Sequence, residues 1–258
     1  MIELRGISKR FGGVQALDAV DLVGLSGEVH GLIGPNGAGK STLVGCITGV
    51  NGIDAGEMTF RGRRIDGLAV HRRARLGIAR TFQKIRLAQE LTVFENVAIG
   101  LAAERLSGMS RYLRLLTALS TSGIAQKVHS ALEAAGIVDA ADSAVASLPY
   151  GTRHFVEVAR ALVARPDVLL LDEPATGLTE VERRRLSALV RRVAGSGCFV
   201  LLVEHDLELV GELCDRVTVI DYGRRIFTGT LAEAQGDPTV VAAYLGSAKF
   251  AKDVEGRV

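Results

Sequence analysis

The stretch Gly34-Pro-Asn-Gly-Ala-Gly-Lys-Ser-Thr42 decides the fold of this chain, because it matches the pattern G-x-x-x-x-G-K-[ST]. An apolar run at residues 29–34 leads into it, and apolar residues recur at three- and four-residue steps after Lys40. This order predicts a strand, a glycine-rich loop and a helix. Such a loop curls backbone N–H groups around an anion, and the helix N-terminus adds a partial positive charge. The stretch therefore predicts a site for the phosphates of a nucleoside triphosphate.

Each residue type in this stretch has a part in the predicted site. Glycines permit the tight turn and let the backbone approach the anion closely. Lys40 supplies a point charge between the β- and γ-phosphates, and the Ser41 hydroxyl is a ligand for Mg²⁺. The predicted ATP-binding residues of the loop are Gly34, Pro35, Asn36, Gly37, Ala38, Gly39, Lys40, Ser41 and Thr42.

A second motif, Val168-Leu-Leu-Leu-Asp-Glu173, places two acids directly after an apolar run. Alone, this motif also fits a strand that ends in a solvated acidic turn. The phosphate loop favours the functional interpretation, because ligands of an open α/β sheet bind at the carboxyl edge of its strands. Asp172 is predicted to hold Mg²⁺ through water, and Glu173 to polarise the water that attacks the γ-phosphate. His205 follows another apolar run and is predicted to reach the γ-phosphate. The predicted catalytic residues are Lys40, Glu173 and His205.

The remaining pattern predicts a sheet of mostly parallel strands covered by helices. Further strands are predicted at residues 77–82, 168–171, 198–203 and 217–220, and several of them are apolar throughout, which is typical of strands buried on both faces. Two capping boxes, Thr92 with Glu95 and Thr179 with Glu182, mark helix starts. The predicted organisation is one domain over 1–258, with an α/β core at 1–90 and 160–247, an inserted helical subdomain at 91–159 and a loose tail at 248–258.

Composition excludes several classes of protein. Of 258 residues, 48% are hydrophobic and 23% charged, and the formal net charge is +2, which indicates a globular chain without a strong electrostatic preference for nucleic acid. Three cysteines fit neither a disulfide framework nor a zinc pattern. We expect no signal peptide and no transmembrane helix, because no apolar run approaches about 18 residues. The mean hydropathy of +0.25 leads us to expect exposed apolar surface at residues 87–101.

Taken in order and spacing, these motifs resemble the ATP-binding subunit of ABC transporters over nearly the whole chain. The resemblance rests on the phosphate loop, Gln83, the run Leu148-Pro-Tyr-Gly151, Asp172-Glu-Pro174 and His205. Two further runs, Ala79-Arg-Thr-Phe-Gln83 and Ala243-Tyr-Leu-Gly246, are similar to the longer ATPase of branched-chain amino acid importers. The resemblance implies ATP hydrolysis that powers the import of branched-chain or other hydrophobic amino acids. The implied fold is the α/β P-loop NTPase cassette of this family, with a mostly parallel sheet core, an N-terminal antiparallel β region and an inserted helical subdomain.

The resemblance implies further site residues. Phe11 stands where an aromatic ring stacks on adenine in the family, although a buried core Phe is the structural alternative. Gln83 matches the glutamine that senses Mg²⁺ and the attacking water, and residues 84–95 would face membrane subunits. The resemblance implies that Ser41, Gln83 and Asp172 hold Mg²⁺, with Asp172 acting through water. The signature that closes over the ATP of the opposite subunit corresponds to Leu148, Pro149, Tyr150, Gly151 and Thr152.

Four positions depart from the family pattern. Pro149 and Tyr150 stand where the family has Ser followed by Gly, and Thr152 stands where it has Gln. Because proline has neither a hydroxyl nor an N–H, a side-chain contact from residue 149 to the γ-phosphate is excluded. Gly151 still allows the backbone to approach a phosphate. Thr179 replaces the usual Asp of the inter-subunit contact, so that contact does not transfer to this chain.

The resemblance implies ATP and Mg²⁺ as cofactors, a second ATPase subunit of the same or another kind, two transmembrane permease subunits and, indirectly, a substrate-binding protein. It places the chain at the cytoplasmic face of the membrane as a peripheral subunit. The alternative is a non-transport ABC ATPase of nucleic-acid maintenance or translation, and a P-loop kinase is a third possibility that leaves Leu148 to Gly151 unexplained. Three basic clusters, at residues 61–64, 71–75 and 183–185, are interpreted as solvated faces, and no nucleic-acid partner is expected.

Overall fold

A computed structural model describes residues 1–81, 85–101 and 122–245 of the chain. The chain folds into two compact units. One is formed by Met1–Val70 together with the chain from Val190 onward, and the other by His71–Leu189. The predicted division at 90/91 and 159/160 stays a prediction, and the predicted tail at 248–258 lies outside the described residues.

The strands are β1 (Ile2–Phe11), β2 (Val14–Gly24), β3 (Val29–Ile33), β4 (Ala55–Phe60), β5 (Arg63–Arg64), β6 (Ile78–Arg80), β7 (Val168–Asp172), β8 (Phe199–Val203), β9 (Arg216–Asp221) and β10 (Arg224–Gly229). The α-helices are α1 (Lys40–Thr48), α2 (Val70–Arg75), α3 (Val93–Ala98), α4 (Ser122–Ala135), α5 (Tyr150–Leu162), α6 (Glu180–Gly195), α7 (Leu207–Leu213), α8 (Leu231–Gly236) and α9 (Pro238–Leu245). Short 3-10 turns lie at Ile99–Leu101, Val138–Ala140 and Val145–Ser147. None of the helices in the described ranges has the length and apolar character needed to span a membrane.

The first unit contains an antiparallel sheet with the strand order β2-β1-β4-β5. Ile2 and Leu4 of β1 are buried, whereas Arg5 is exposed, because successive side chains of a strand point to opposite faces. A β-bulge between Leu4 and Ile7 shifts this alternation by one residue, so that Ile7 is buried as well. This sheet confirms the N-terminal antiparallel β region that the resemblance implied.

The first unit also holds the strands that carry the phosphate loop. β3 pairs in parallel with both β8 and β9, and every residue of β3 and β8 is buried. β10 runs antiparallel to β9. Because β3, β8 and β9 point the same way, the residues that follow them, Gly34, Glu204 and Tyr222, lie along one edge.

The second unit combines a parallel strand pair with helices. β6 pairs with β7 in parallel register, and α3, α4 and α5 pack on one another. The predicted capping box at the start of α3 is confirmed, since Thr92 N–H donates to Glu95 Oε2 at 2.8 Å and Glu95 N–H donates to Thr92 Oγ1 at 3.2 Å. The helical character predicted after Glu95 is confirmed where the structure describes it.

The prediction of exposed apolar surface at residues 87–101 is wrong for most of this stretch, in which Leu91, Phe94 and Ile99 are only partly exposed. Leu87, Val93, Val97 and Leu101 are all buried, because the apolar face of α3 packs against α4 and α5. The prediction that the basic clusters are solvated is wrong for Arg73, which is 2% exposed. The stretch at residues 87–101 therefore contributes to the mean hydropathy mainly as core.

Candidate nucleotide-binding site

The phosphate loop joins β3 to α1, in the order that the sequence predicted. Gly34, Gly37 and Gly39 have positive φ angles of 149°, 82° and 107°, which glycine adopts without steric cost. Gly39 is the N-cap of α1 and offers no side-chain cap. No cap side chain therefore competes with an anion for the first N–H groups of this helix.

The Lys40 side chain folds back along the loop. Its Nζ donates hydrogen bonds to the carbonyl oxygens of Gly34, at 2.7 Å, and of Pro35, at 2.9 Å. Ser41, the next residue, is exposed in the first turn of α1. An ammonium and a hydroxyl thus stand beside the N–H groups of the loop, which suits the phosphates of a nucleotide.

Neighbouring backbone encloses the loop so tightly that two of its glycines have no room for a side chain. A Cβ on Gly34 would overlap the carbonyl oxygen of Ile220, and a Cβ on Gly39 would come within 2.5 Å of the Ala16 carbonyl oxygen. Ala38 N–H donates to the Pro35 carbonyl at 3.2 Å. The shape of the loop is therefore set by close packing in addition to its own sequence.

His205 lies at the same edge as the loop, directly beyond the neighbouring strand. Leu32 of β3 is in register with Val203 of β8, so that His205 follows β8 as Gly34 follows β3. The His205 side chain is 51% exposed and its Nδ1 lies 3.8 Å from Glu204 Oε2. Asp206 then caps α7 by accepting from the N–H of Glu208. The first unit thus brings His205 beside the phosphate loop.

Phe11, at the end of β1, is 48% exposed. The Lys9 ammonium lies 5.4 Å from the centroid of its ring, a distance that allows a cation–π interaction. A core-packing role does not account for this exposure. The ring remains available for stacking, as the resemblance implies.

In the second unit, Asp172 ends the buried strand β7 and is itself 6% exposed. Arg80, the last residue of β6, donates from Nη2 to Asp172 Oδ2 at 3.1 Å. No sequence pattern predicted Arg80 as a partner of Asp172. Arg80 ends a strand that is parallel to β7, and it lies three residues before Gln83. This position was the only feature of the sequence that indicated Arg80.

Glu173 has an unusual backbone conformation. Its φ is 49°, in the left-handed region where residues other than glycine are strained by about 1 kcal/mol or more. Thr176 N–H donates to its carbonyl oxygen at 3.3 Å. Backbone strain of this kind concentrates at functional sites, and the catalytic role of Glu173 stays a prediction.

The signature run leads into α5. Leu148 is buried, and Pro149 is the N-cap of α5 and makes no side-chain cap hydrogen bond. Tyr150 is half exposed, its hydroxyl donates to the Thr176 carbonyl at 3.5 Å, and a Cβ on Gly177 would lie 2.9 Å from its ring. Tyr150 thus contacts the segment that follows Glu173 in the same unit.

Gly151 has a second reason to be glycine, which the sequence did not reveal. A Cβ on this residue would overlap Glu182 Oε1. Glu182 is fixed by the second predicted capping box, where its Oε2 accepts from Thr179 N–H at 2.8 Å and Thr179 Oγ1 accepts from Glu182 N–H at 3.4 Å. The backbone hydrogen bond from Thr179 holds the pKa of the Glu182 carboxyl below its usual value. An ionised carboxylate therefore packs beside the signature.

Thr152, the last signature residue, is partly buried in the first turn of α5. Gln83 lies outside the described residues. Within the described ranges, no group of three or more His, Cys, Asp or Glu side chains could hold a metal ion.

Residues 17–176 match the family described as ABC transporter. The chain belongs to the ABC transporter family. This match begins at Leu17, in β2, and includes the phosphate loop, Arg80, the signature and Asp172-Glu173.

Members of the ABC transporter family similar to this chain are known by sequence and by structure. The high-affinity branched-chain amino acid transport ATP-binding protein LivG of Salmonella typhimurium is 36% identical over 251 residues, which cover 96% of this chain and 98% of LivG. The corresponding protein BraF of Pseudomonas aeruginosa is also 36% identical, with the same coverage. A solved ATP-binding cassette of an ABC transporter in its ADP conformation is 30% identical with a TM-score of 0.86, covering 96% of this chain and 99% of that one. These likenesses support the cassette fold of this ABC family member over nearly its full length.

Proposed function

We propose that this chain is the ATP-hydrolysing subunit of an importer for branched-chain amino acids. The observation that carries the proposal is the phosphate loop, in which three left-handed glycines and the folded-back Lys40 precede a helix without a side-chain cap. The near full-length similarity to LivG and BraF supports the amino-acid substrate class.

Different residues of this chain bind the phosphates, activate the attacking water and hold the adenine. The N–H groups of the loop and the Lys40 ammonium bind the β- and γ-phosphates. Glu173 orients and deprotonates the attacking water, and His205, beside the loop, stabilises the γ-phosphate. Gln83 is proposed to sense the metal and the water, and Phe11 stacks on adenine.

The proposed oxygen donors suit Mg²⁺. Ser41 offers an exposed hydroxyl, and Asp172 offers a carboxylate that acts through water. Mg²⁺ is commonly held by one or two protein oxygen ligands together with substrate phosphates, so a dedicated cluster of protein ligands is not required. When bound, the ion neutralises charge that develops on the phosphates.

Closure of two ATPase subunits over two ATP molecules is proposed to drive the permease. The signature contributes backbone N–H groups and the N-terminus of α5 to the partner subunit's ATP, since Pro149 has no hydroxyl to offer. The proposed partners are a second ATPase subunit, two transmembrane permease subunits and, indirectly, a binding protein. The proposed location is the cytoplasmic face of the membrane.

Co-purification from membranes, followed by ATPase assays in liposomes, tests this function. We expect permease subunits to copurify, and we expect a binding protein loaded with leucine, isoleucine or valine to stimulate ATP hydrolysis above the rate with the empty binding protein. Stimulation by a different solute only would contradict the substrate class. Copurification with ribosomes or DNA and no permease would instead support the nucleic-acid alternative.

A further inference from the structure

The two-residue turn Tyr222-Gly223, between β9 and β10, lies against the phosphate loop. Gly223 N–H donates to the Ala38 carbonyl at 2.9 Å, and the Gly223 carbonyl accepts from Asp18 N–H at 2.8 Å. Ala38 belongs to the loop and is buried. Both backbone polar groups of Gly223 are thus used to connect β2 with the phosphate loop.

No other residue type fits this position without a shift. Gly223 has a φ of 77°, and a Cβ there would lie 2.7 Å from the Ala16 carbonyl oxygen and 3.1 Å from Leu17 Cα. Both are backbone atoms of β2, which cannot rotate away as a flexible side chain can. A side chain on residue 223 would therefore push the turn away from β2 and from the loop.

The hydrogen bond to Ala38 has a consequence for phosphate binding. In a trans peptide, the carbonyl of one residue and the N–H of the next point in opposite directions. Holding the Ala38 carbonyl on Gly223 therefore directs the Gly39 N–H away from the turn. We propose that Gly223 is a positioning residue for ATP binding, because it fixes the Ala38–Gly39 peptide so that the Gly39 N–H is presented to the phosphates. This inference rests on the ATP site of the proposed function.

The chain contains a matched control for this residue. Arg61 and Gly62 form a two-residue turn between β4 and β5, with φ angles of 51° and 72°. Tyr222 and Gly223 have 42° and 77°. Both turns have two left-handed residues, which is the type I′ pattern of β-hairpins. A Cβ on Gly62 meets nothing within 4 Å, so the two glycines differ in what lies behind them.

The experiment compares Gly223→Ala with Gly62→Ala by thermal unfolding and by displacement of a fluorescent ATP analogue with ATP. We expect both variants to lose stability from backbone strain, with the larger loss in Gly223→Ala because its Cβ also meets the backbone of β2, and an increase of about tenfold or more in the dissociation constant for ATP in Gly223→Ala only. The pair Gly223→Asn and Gly62→Asn separates the two effects, because Asn tolerates the left-handed region. Gly223→Asn is expected to regain stability without regaining ATP affinity, which a purely structural role would not produce.

Equal ATP affinity in Gly223→Ala and Gly62→Ala would overturn the proposal. If Gly223→Ala does not fold, the comparison of Gly223→Asn with Gly62→Asn takes its place, because Asn tolerates the left-handed region. Weaker ATP binding in Gly223→Asn than in Gly62→Asn would then support the proposal, and equal binding would overturn it. The comparison needs no permease, so a wild-type chain that binds ATP without powering import counts against the proposed function alone.

Discussion

The Glu182 carboxylate lies directly against Gly151, at the place where a Cβ of residue 151 would stand. Glu182 lies in the first turn of α6, and Gly151 belongs to the signature. Glu182 also closes the capping box with Thr179. The capping hydrogen bonds of α6 therefore depend on the absence of a side chain at Gly151 in α5.

Gly151→Ala is expected to disturb this capping box. The added methyl displaces the Glu182 carboxylate, and loss of a cap costs about 1 kcal/mol. Once Glu182→Ala has removed the carboxylate, the same Gly151→Ala change should become neutral or stabilising, because alanine has the higher helix propensity by up to about 1 kcal/mol. Urea unfolding of the two single variants and the double variant measures this coupling. Additive effects, within about 0.3 kcal/mol, would contradict it.

Glu173 allows chemistry and backbone strain to be tested separately. Glu173→Gln keeps the shape of the side chain but cannot take a proton, so we expect ATP hydrolysis to fall by about 100-fold or more, with ATP still bound in a trapped dimer. Lys40→Ala is expected to lose nucleotide binding itself. Unchanged turnover in Glu173→Gln would rule out Glu173 as the base.

The left-handed backbone of Glu173 predicts a difference between two variants that both lack the carboxylate. Glu173→Gly relieves the strain at a φ of 49°, whereas Glu173→Ala retains it. We expect the glycine variant to be more stable by about 1 kcal/mol in urea unfolding. A more stable alanine variant would show that the left-handed conformation is not a source of strain in solution.

The sequence predicted the features that are local in the chain. The phosphate loop, the buried strand before Asp172 and both capping boxes depend on residues a few positions apart, so their patterns can be read directly. Contacts between distant segments escaped prediction. The proximity of Gly223 to Ala38 depends on the register between β3 and β9, which no local pattern encodes.

Burial was the other property that the sequence left open. The apolar residues at 87–101 and Arg73 were expected at the surface, and both expectations failed because burial depends on which helices pack against these segments. Glu173 shows a third limit, since a left-handed glutamate has no sequence signature. Local patterns thus predict loops, strands and helix caps more directly than backbone conformation or long-range partners.

The ion pair between Arg80 and Asp172 is expected to contribute more to stability than an exposed pair. Asp172 is 6% exposed, and the Arg80 side chain 18%. Arg80→Met removes one partner of a buried carboxylate, which costs about 3 kcal/mol. Arg64→Met is the control, because Arg64 pairs with Asp66 at 2.9 Å with its side chain 62% exposed, and such pairs contribute at most about 1 kcal/mol. Equal losses of unfolding free energy in the two variants would contradict the prediction.

His154, three residues after Gly151, predicts that acid weakens the second unit. Burial lowers the pKa of its imidazole below the ordinary value of 6.5, against the opposing effect of the Glu182 carboxylate, and its Nδ1 has no hydrogen-bond partner within the described residues. Because the unfolded chain takes up a proton near pH 6.5 while the folded ring stays neutral, unfolding free energy should fall as the pH drops through and below this value.

Urea unfolding at about pH 7.5 and about pH 5.5 measures this dependence on pH. His154→Leu should reduce the loss of stability between the two conditions, because the buried titrating group is gone. Glu182→Gln should increase it, because the carboxylate that raises the pKa of His154 has been removed. His129→Gln is the control, since His129 is exposed on α4 and should leave the dependence as in the wild type. A loss of stability in His154→Leu as large as that of the wild type would assign the effect to other groups.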